Sequence, residues 1–113
     1  MKLTDIIDAL SGAGIKACLP GRHTGKCDSA YCVVADDGVR ALGKTTGRHM
    51  YIVTLYVPYE TPTDMDDLLP KVRKALIDMD NLRETGDQSA DGVDEDIEAY
   101  YVTLGYKSLC SLI

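Results

Sequence analysis

Two of the three large aromatic residue types are missing. The sequence has no Trp and no Phe, so seven Tyr supply all of its aromatic mass. Tyr keeps a polar hydroxyl and suits half-buried strands and interfaces. Basic charge is also scarce: 12 Lys and Arg against 18 Asp and Glu leave a formal net charge of −6. Nucleic-acid binders neutralise phosphates with clustered cations, and the only cluster here is Lys71, Arg73 and Lys74. Specific nucleic-acid binding is therefore not expected. Long apolar runs are absent too. The run from Leu109 to Ile113 is far short of the ~20 residues that cross a bilayer, so no membrane association is expected. The opening Met1-Lys2-Leu3-Thr4-Asp5 turns acidic at once and lacks the apolar stretch of a secretory leader. The expected compartment is a cytoplasm or a particle assembled there. In that setting Cys18, Cys27, Cys32 and Cys110 are expected as reduced, partly buried thiols rather than disulfides.

What is present is an ordinary globular composition, 45% apolar and 27% charged over 113 residues. That length predicts one domain spanning residues 1–113. Leu3, Ile6, Ile7 and Leu10 recur with helical period, so residues 4–12 read as a short helix capped by Thr4 and stopped by Gly12 and Gly14. Ile15 to Leu19 and Ala30 to Ala35 read as strands, with a polar loop between them and a turn at Asp36-Asp37-Gly38. Residues 39–47 are ambiguous between strand and loop. His49 to Val57 is the clearest strand, apolar on both faces, which predicts either a central position or one face against a partner.

Residues 63–79 predict the main helix, with Thr63 and Asp66 as a capping box and an apolar stripe from Met65 to Met79. Pro70 is expected to kink it or to start its regular part. Leu82 to Thr85 reads as a short strand, Gly86 to Asp96 as an acidic loop and Ile97 to Lys107 as the last strand. Short connections make the sheet mostly antiparallel, so the fold class is α+β.

Three motifs invite a chemical reading. Gly38 to Thr45 fits the phosphate-loop pattern, but that loop must open a helix and Thr46 to Val57 reads as strand. A hairpin loop is the expectation. Cys18, His23, Cys27 and Cys32 are four soft ligands within fifteen residues but lack the paired spacing of zinc knuckles. Whether they hold a metal stays open. No residue is positioned as the base of a Cys–His nucleophile, and the acidic run Asp91 to Glu98 lacks the spacing of a calcium loop. No catalytic, cofactor-binding or metal-binding residue is assigned, and no enzyme activity is expected.

The order of elements resembles the tail terminator and head–tail joining (neck) proteins of long-tailed bacteriophages. The likeness rests on the first helix Ile6 to Leu10, the strand and Pro-Gly loop Ile15 to Gly21, the strand Ala30 to Val34, the long strand His49 to Val57 running into helix 63–79, and the acidic loop and Tyr-rich strand Val93 to Lys107. It implies a virion structural protein, from a phage or prophage and assembled in the bacterial cytoplasm. It implies a ring, usually of six copies, that caps the tail tube and joins it to the head. The implied partners are the chain itself, a tail-tube protein and a head-completion or neck protein, with no cofactor. A ring needs two different patches on each copy. Tyr51, Val53, Leu55, Tyr101 and Thr103 are the expected interface residues. Arg22, His23, Lys26, Arg40, Lys44, Asp94 and Asp96 are the expected loop contacts to tube or head, and the acidic ones suit a lumen that DNA must pass. The alternatives are another phage or secretion-system assembly adaptor and, behind it, a small nucleotide- or metal-binding domain.

Overall fold

The computed structural model describes residues 1–113. In chain order the elements are α1 (Leu3–Gly12), β1 (Ala17–Cys18), β2 (Tyr31–Ala41), β3 (Thr46–Pro58), α2 (Asp64–Leu76), β4 (Arg83–Gln88), β5 (Gly92–Asp94) and β6 (Ala99–Ser111). They build one sheet in the order β1-β2-β3-β6-β4, with β5 also on β6. Every pairing is antiparallel except β1 with β2. The fold is α+β.

Local chemistry explains both ends of α1. The Lys2 amide donates to the Asp5 carboxylate at 2.8 Å, so Asp5 closes the first turn rather than Thr4. At the other end Gly14 takes a φ of 80°, and the amides of Gly14 and Ile15 donate back to the carbonyls of Ser11 and Leu10. This is the left-handed glycine stop, and the following Ile15 is buried beneath it.

α2 runs unbroken through Pro70, which lies exposed inside it. Thr63 makes no side-chain cap bond, so the expected capping box does not form. The helix ends at Leu76, short of Met79. Its Met65, Leu68, Val72 and Leu76 are buried, and Arg73 ties it to the sheet through Glu84 at 3.0 Å and Gln88 at 2.7 Å.

Both helices pack on one face of the sheet. That face presents Cys32 and Val34 from β2, Tyr51, Val53, Leu55 and Val57 from β3, and Val102, Leu104 and Tyr106 from β6, all in the main core with Ile6, Leu10 and Leu82. β3 takes the central position expected of it, but the expected interface role of its Tyr51, Val53 and Leu55 is overturned. Tyr51, Val53 and Leu55 are at most 1% exposed, so they are core and not interface. Both faces of β3 are apolar, and period-two alternation cannot tell which one the helices cover. The Tyr51 hydroxyl is accommodated by the Met1 carbonyl at 3.3 Å and the Ser108 hydroxyl at 3.4 Å.

Strand boundaries also differ. Asp36-Asp37-Gly38 is not a chain reversal but a bulge inside β2, where the pairing register shifts between Asp36 and Val39. Gly38 has a φ of 88°, and its amide donates to the Asp36 carboxylate at 2.6 Å. β2 therefore runs on to Ala41, and the hairpin turn is only residues 42–45. The acidic loop contains the end of β4 and all of β5, because the antiparallel edge of β6 supplies pairing partners that polarity alone conceals.

Candidate functional site

The second face of the sheet has no helix over it. Its floor is Met50, Ile52, Thr54 and Tyr56 from β3 and Tyr101, Thr103, Gly105 and Lys107 from β6, all half-buried. Tyr101 and Thr103 thus lie on an available surface, and the open face of β3 is the one opposite to Tyr51, Val53 and Leu55. Tyr101 lies across Gly92 of β5. A Cβ at Gly92 would run into its ring, so a larger residue there would displace Tyr101. The tip of β4 folds over Gly105 in the same way, with the Thr85 side chain where a Cβ would stand.

One end of this face is built by the 19–30 loop. His23 stacks on Tyr31 at 3.9 Å between ring centroids, Tyr31 on Tyr56 at 5.0 Å, and Tyr56 leans on Tyr101 at 6.0 Å. The row crosses β2, β3 and β6, and burial pushes the Tyr31 hydroxyl well above the usual phenol range. Cys27, Tyr31 and Ala99 form a small second core beneath the loop. His23 Nδ1 is buried with no partner.

The four soft ligands do not converge. Cys32 belongs to the core on the helix-covered face, whereas Cys27 and Cys18 pack under the loop on the open side. No group of three or more His, Cys, Asp or Glu side chains is arranged to hold a metal ion. All four cysteines are free thiols. Burial pushes the Cys32 thiol up to about 12. Gly38 to Thr45 spans the bulge, the end of β2 and the hairpin turn. No helix follows it, so the phosphate-loop geometry is absent.

The loop candidates fall into two groups at opposite ends of the sheet. Arg22, His23 and Lys26 belong to the 19–30 loop, which meets the β5–β6 turn through Lys26 with Glu98 and the Cys27 amide with the Ile97 carbonyl; Asp94 and Asp96 lie on that turn. Lys26 bridges Glu60 at 3.4 Å and Glu98 at 3.3 Å, and Asp94 accepts the Asp96 amide at 3.1 Å. Arg40 and Lys44 lie at the far end, with Arg40 in β2 rather than in a loop and 4.0 Å from Asp37.

A basic group at that far end was not anticipated. Arg48, Arg83 and Lys107, from β3, β4 and β6, line a cleft of about 200 Å³ together with Asn81. None of the three forms a salt bridge. Arg48 pairs with Leu109 and Lys107 with Arg83, a register that no local window of sequence displays.

No family model matches the chain, and no curated protein is significantly similar to it.

Proposed function

We propose that the protein is a structural assembly subunit, of the kind exemplified by phage tail terminators, that works by packing against copies of itself and against a tail tube and neck. The observation that supports this most is the open face. A half-buried floor of Met50, Ile52, Tyr56 and Tyr101 lies uncovered beside a fully closed opposite face. Such surfaces mark protein–protein contacts.

The sheet edges narrow the mode of packing. The β2 edge is broken by the bulge and charged at Asp36, Asp37 and Arg40. The distal β6 edge is plugged by Asn81, whose side chain donates to the Leu109 carbonyl at 2.9 Å and accepts its amide at 3.0 Å. Strand-to-strand addition is disfavoured at these two stretches, which favours faces and ends as contact surfaces. The acidic β5–β6 turn fits the rim of a lumen that repels DNA. The assembled form is a ring of six 12.3 kDa chains, about 74 kDa.

The test is functional capping. Added to polymerising tail-tube subunits from the same genome, the protein should stop tube growth and be visible as an annulus on tube ends. Unrestricted growth with no bound protein would exclude the terminator role.

A further inference from the structure

The open face is electrically polarised. At the end of the sheet with the β2–β3 hairpin, Arg48, Arg83 and Lys107 line one cleft with no carboxylate paired to them. At the other end the β5–β6 turn presents Asp94, Glu95 and Asp96, which border a trough over Thr54, Tyr56, Tyr101 and Thr103 and have no cation paired to them. Lys26, which lies at this end of the sheet, is already held between Glu60 and Glu98. So a chain of net charge −6 concentrates three free cations in one cleft and three free carboxylates on one turn.

The separation matters as much as the signs. Asp94 pairs with Ala99, and Lys107 stands eight residues further along β6. At the rise of an extended strand the two groups are roughly 26 Å apart. They cannot meet within one molecule, but a neighbour displaced along the strand direction brings one onto the other. Two different patches that complement each other generate head-to-tail rings or filaments rather than symmetric dimers. Arginine and lysine lining a cleft are suited to carboxylates.

We infer that the Arg48–Arg83–Lys107 cleft receives the acidic turn Asp94–Asp96 of a second copy of this chain, and that this contact sets the head-to-tail direction of assembly. The inference deepens the assembly reading and rests on it. The apolar residues that flank the two patches, Leu109 on one side and Val93 on the other, are 58% and 53% exposed and would be covered by the same contact.

Charge reversal with complementation tests it. One variant combines Arg83→Glu with Lys107→Glu, and the other combines Glu95→Lys with Asp96→Lys. Arg83, Glu95 and Asp96 are exposed and Lys107 is half-buried on the open face, and Asp94, which holds the turn through the Asp96 amide, is left in place. In light scattering at low ionic strength each variant alone should run as a monomer. An equimolar mixture should regain the wild-type assembled mass, because every contact then joins opposite charges again. Recovery on mixing also shows that both variants are folded. Wild-type mass retained by either variant alone, or no recovery on mixing, overturns the contact while leaving a ring intact. An open, growing polymer that obeys the reversal pattern keeps the contact and overturns the ring. A wild type that stays monomeric at every concentration overturns both.

Discussion

Asn81 has a φ of 59°, a conformation that Asn tolerates better than most residues, and its amide group completes the pairing of Leu109. One side chain therefore stands in for a strand. Asn81→Ala removes both bonds and retains the backbone strain, so it should cost about 1–2 kcal/mol. Asn81→Gly relieves the strain and should cost less. Urea unfolding midpoints would rank the two, and equal midpoints for wild type and Asn81→Ala would show that the plug contributes nothing.

Asp36 offers a pH-dependent counterpart. The Gly38 amide, and after it the hydrogen bond from His49 at 2.7 Å, hold its carboxyl below its ordinary value of 3.8. A lowered folded pKa stabilises above the unfolded value and is lost as pH falls through the folded one. The stability difference between wild type and Asp36→Asn should thus be present at neutral pH and shrink as the pH drops below 3.8, read from unfolding curves across an acid series. A difference unchanged by acid would rule out the carboxylate as the group that fastens the bulge. Thiol chemistry follows burial in the same way. Cys32, fully buried with its thiol pushed up to about 12, should resist alkylation in the native protein while the half-exposed Cys18 and Cys110 react. Mass spectrometry of briefly labelled protein decides, and labelling of Cys32 at the rate of Cys110 would contradict the packing.

Among the elements, α2 is the one whose sequence disagrees with its structure. Pro70 cannot donate to the carbonyl four residues back, yet the helix continues from Asp64 to Leu76. The buried stripe Met65, Leu68, Val72 and Leu76, together with the Arg73–Glu84 pair, outweighs the lost bond. Because Pro70 is exposed, Pro70→Ala should restore a donor without disturbing the core and raise stability by about 1–3 kcal/mol. A lower thermal midpoint for Pro70→Ala would mean that the ring supports a contact or conformation the helix needs. The β2–β3 hairpin shows the opposite relation. Its turn, Leu42 to Thr45, carries no strong signal, and what shapes the hairpin is the bulge at Asp36 to Val39, which twists the exposed half of β2.

At the scale of the whole molecule, length and polarity dominate. The principal extents are 48 × 25 × 24 Å, because β2, β3 and the end of β6 run on past the helices. The projecting half carries the unpaired cations Arg48, Arg83 and Lys107, and the opposite end the unpaired carboxylates Asp94, Glu95 and Asp96. Association driven by that arrangement should weaken as ionic strength rises, since exposed charges are screened over a Debye length of ~8 Å near physiological salt. Sizing of the wild type across a salt series measures this, and a mass independent of salt would point to apolar packing of the open face instead.

The sequence by itself determined both helices, the main strands and the α+β class, but not β5 or the run of β2 through its bulge. Helical spacing at Leu3 to Leu10 and Met65 to Leu76, the alternation of β3 and β6, and the Gly14 stop are local signals that tertiary packing reinforces. It also determined that Tyr101 and Thr103 share a face. It could not say which face of β3 is covered, because Tyr51, Val53 and Leu55 on one side and Met50, Ile52 and Tyr56 on the other are alike in apolar character. Only the docking of α1 and α2 broke that equivalence. Nor could it display the cleft of Arg48, Arg83 and Lys107. Those residues are far apart in the chain and meet solely because antiparallel register aligns β3, β6 and β4, a long-range condition that no local pattern of residues encodes.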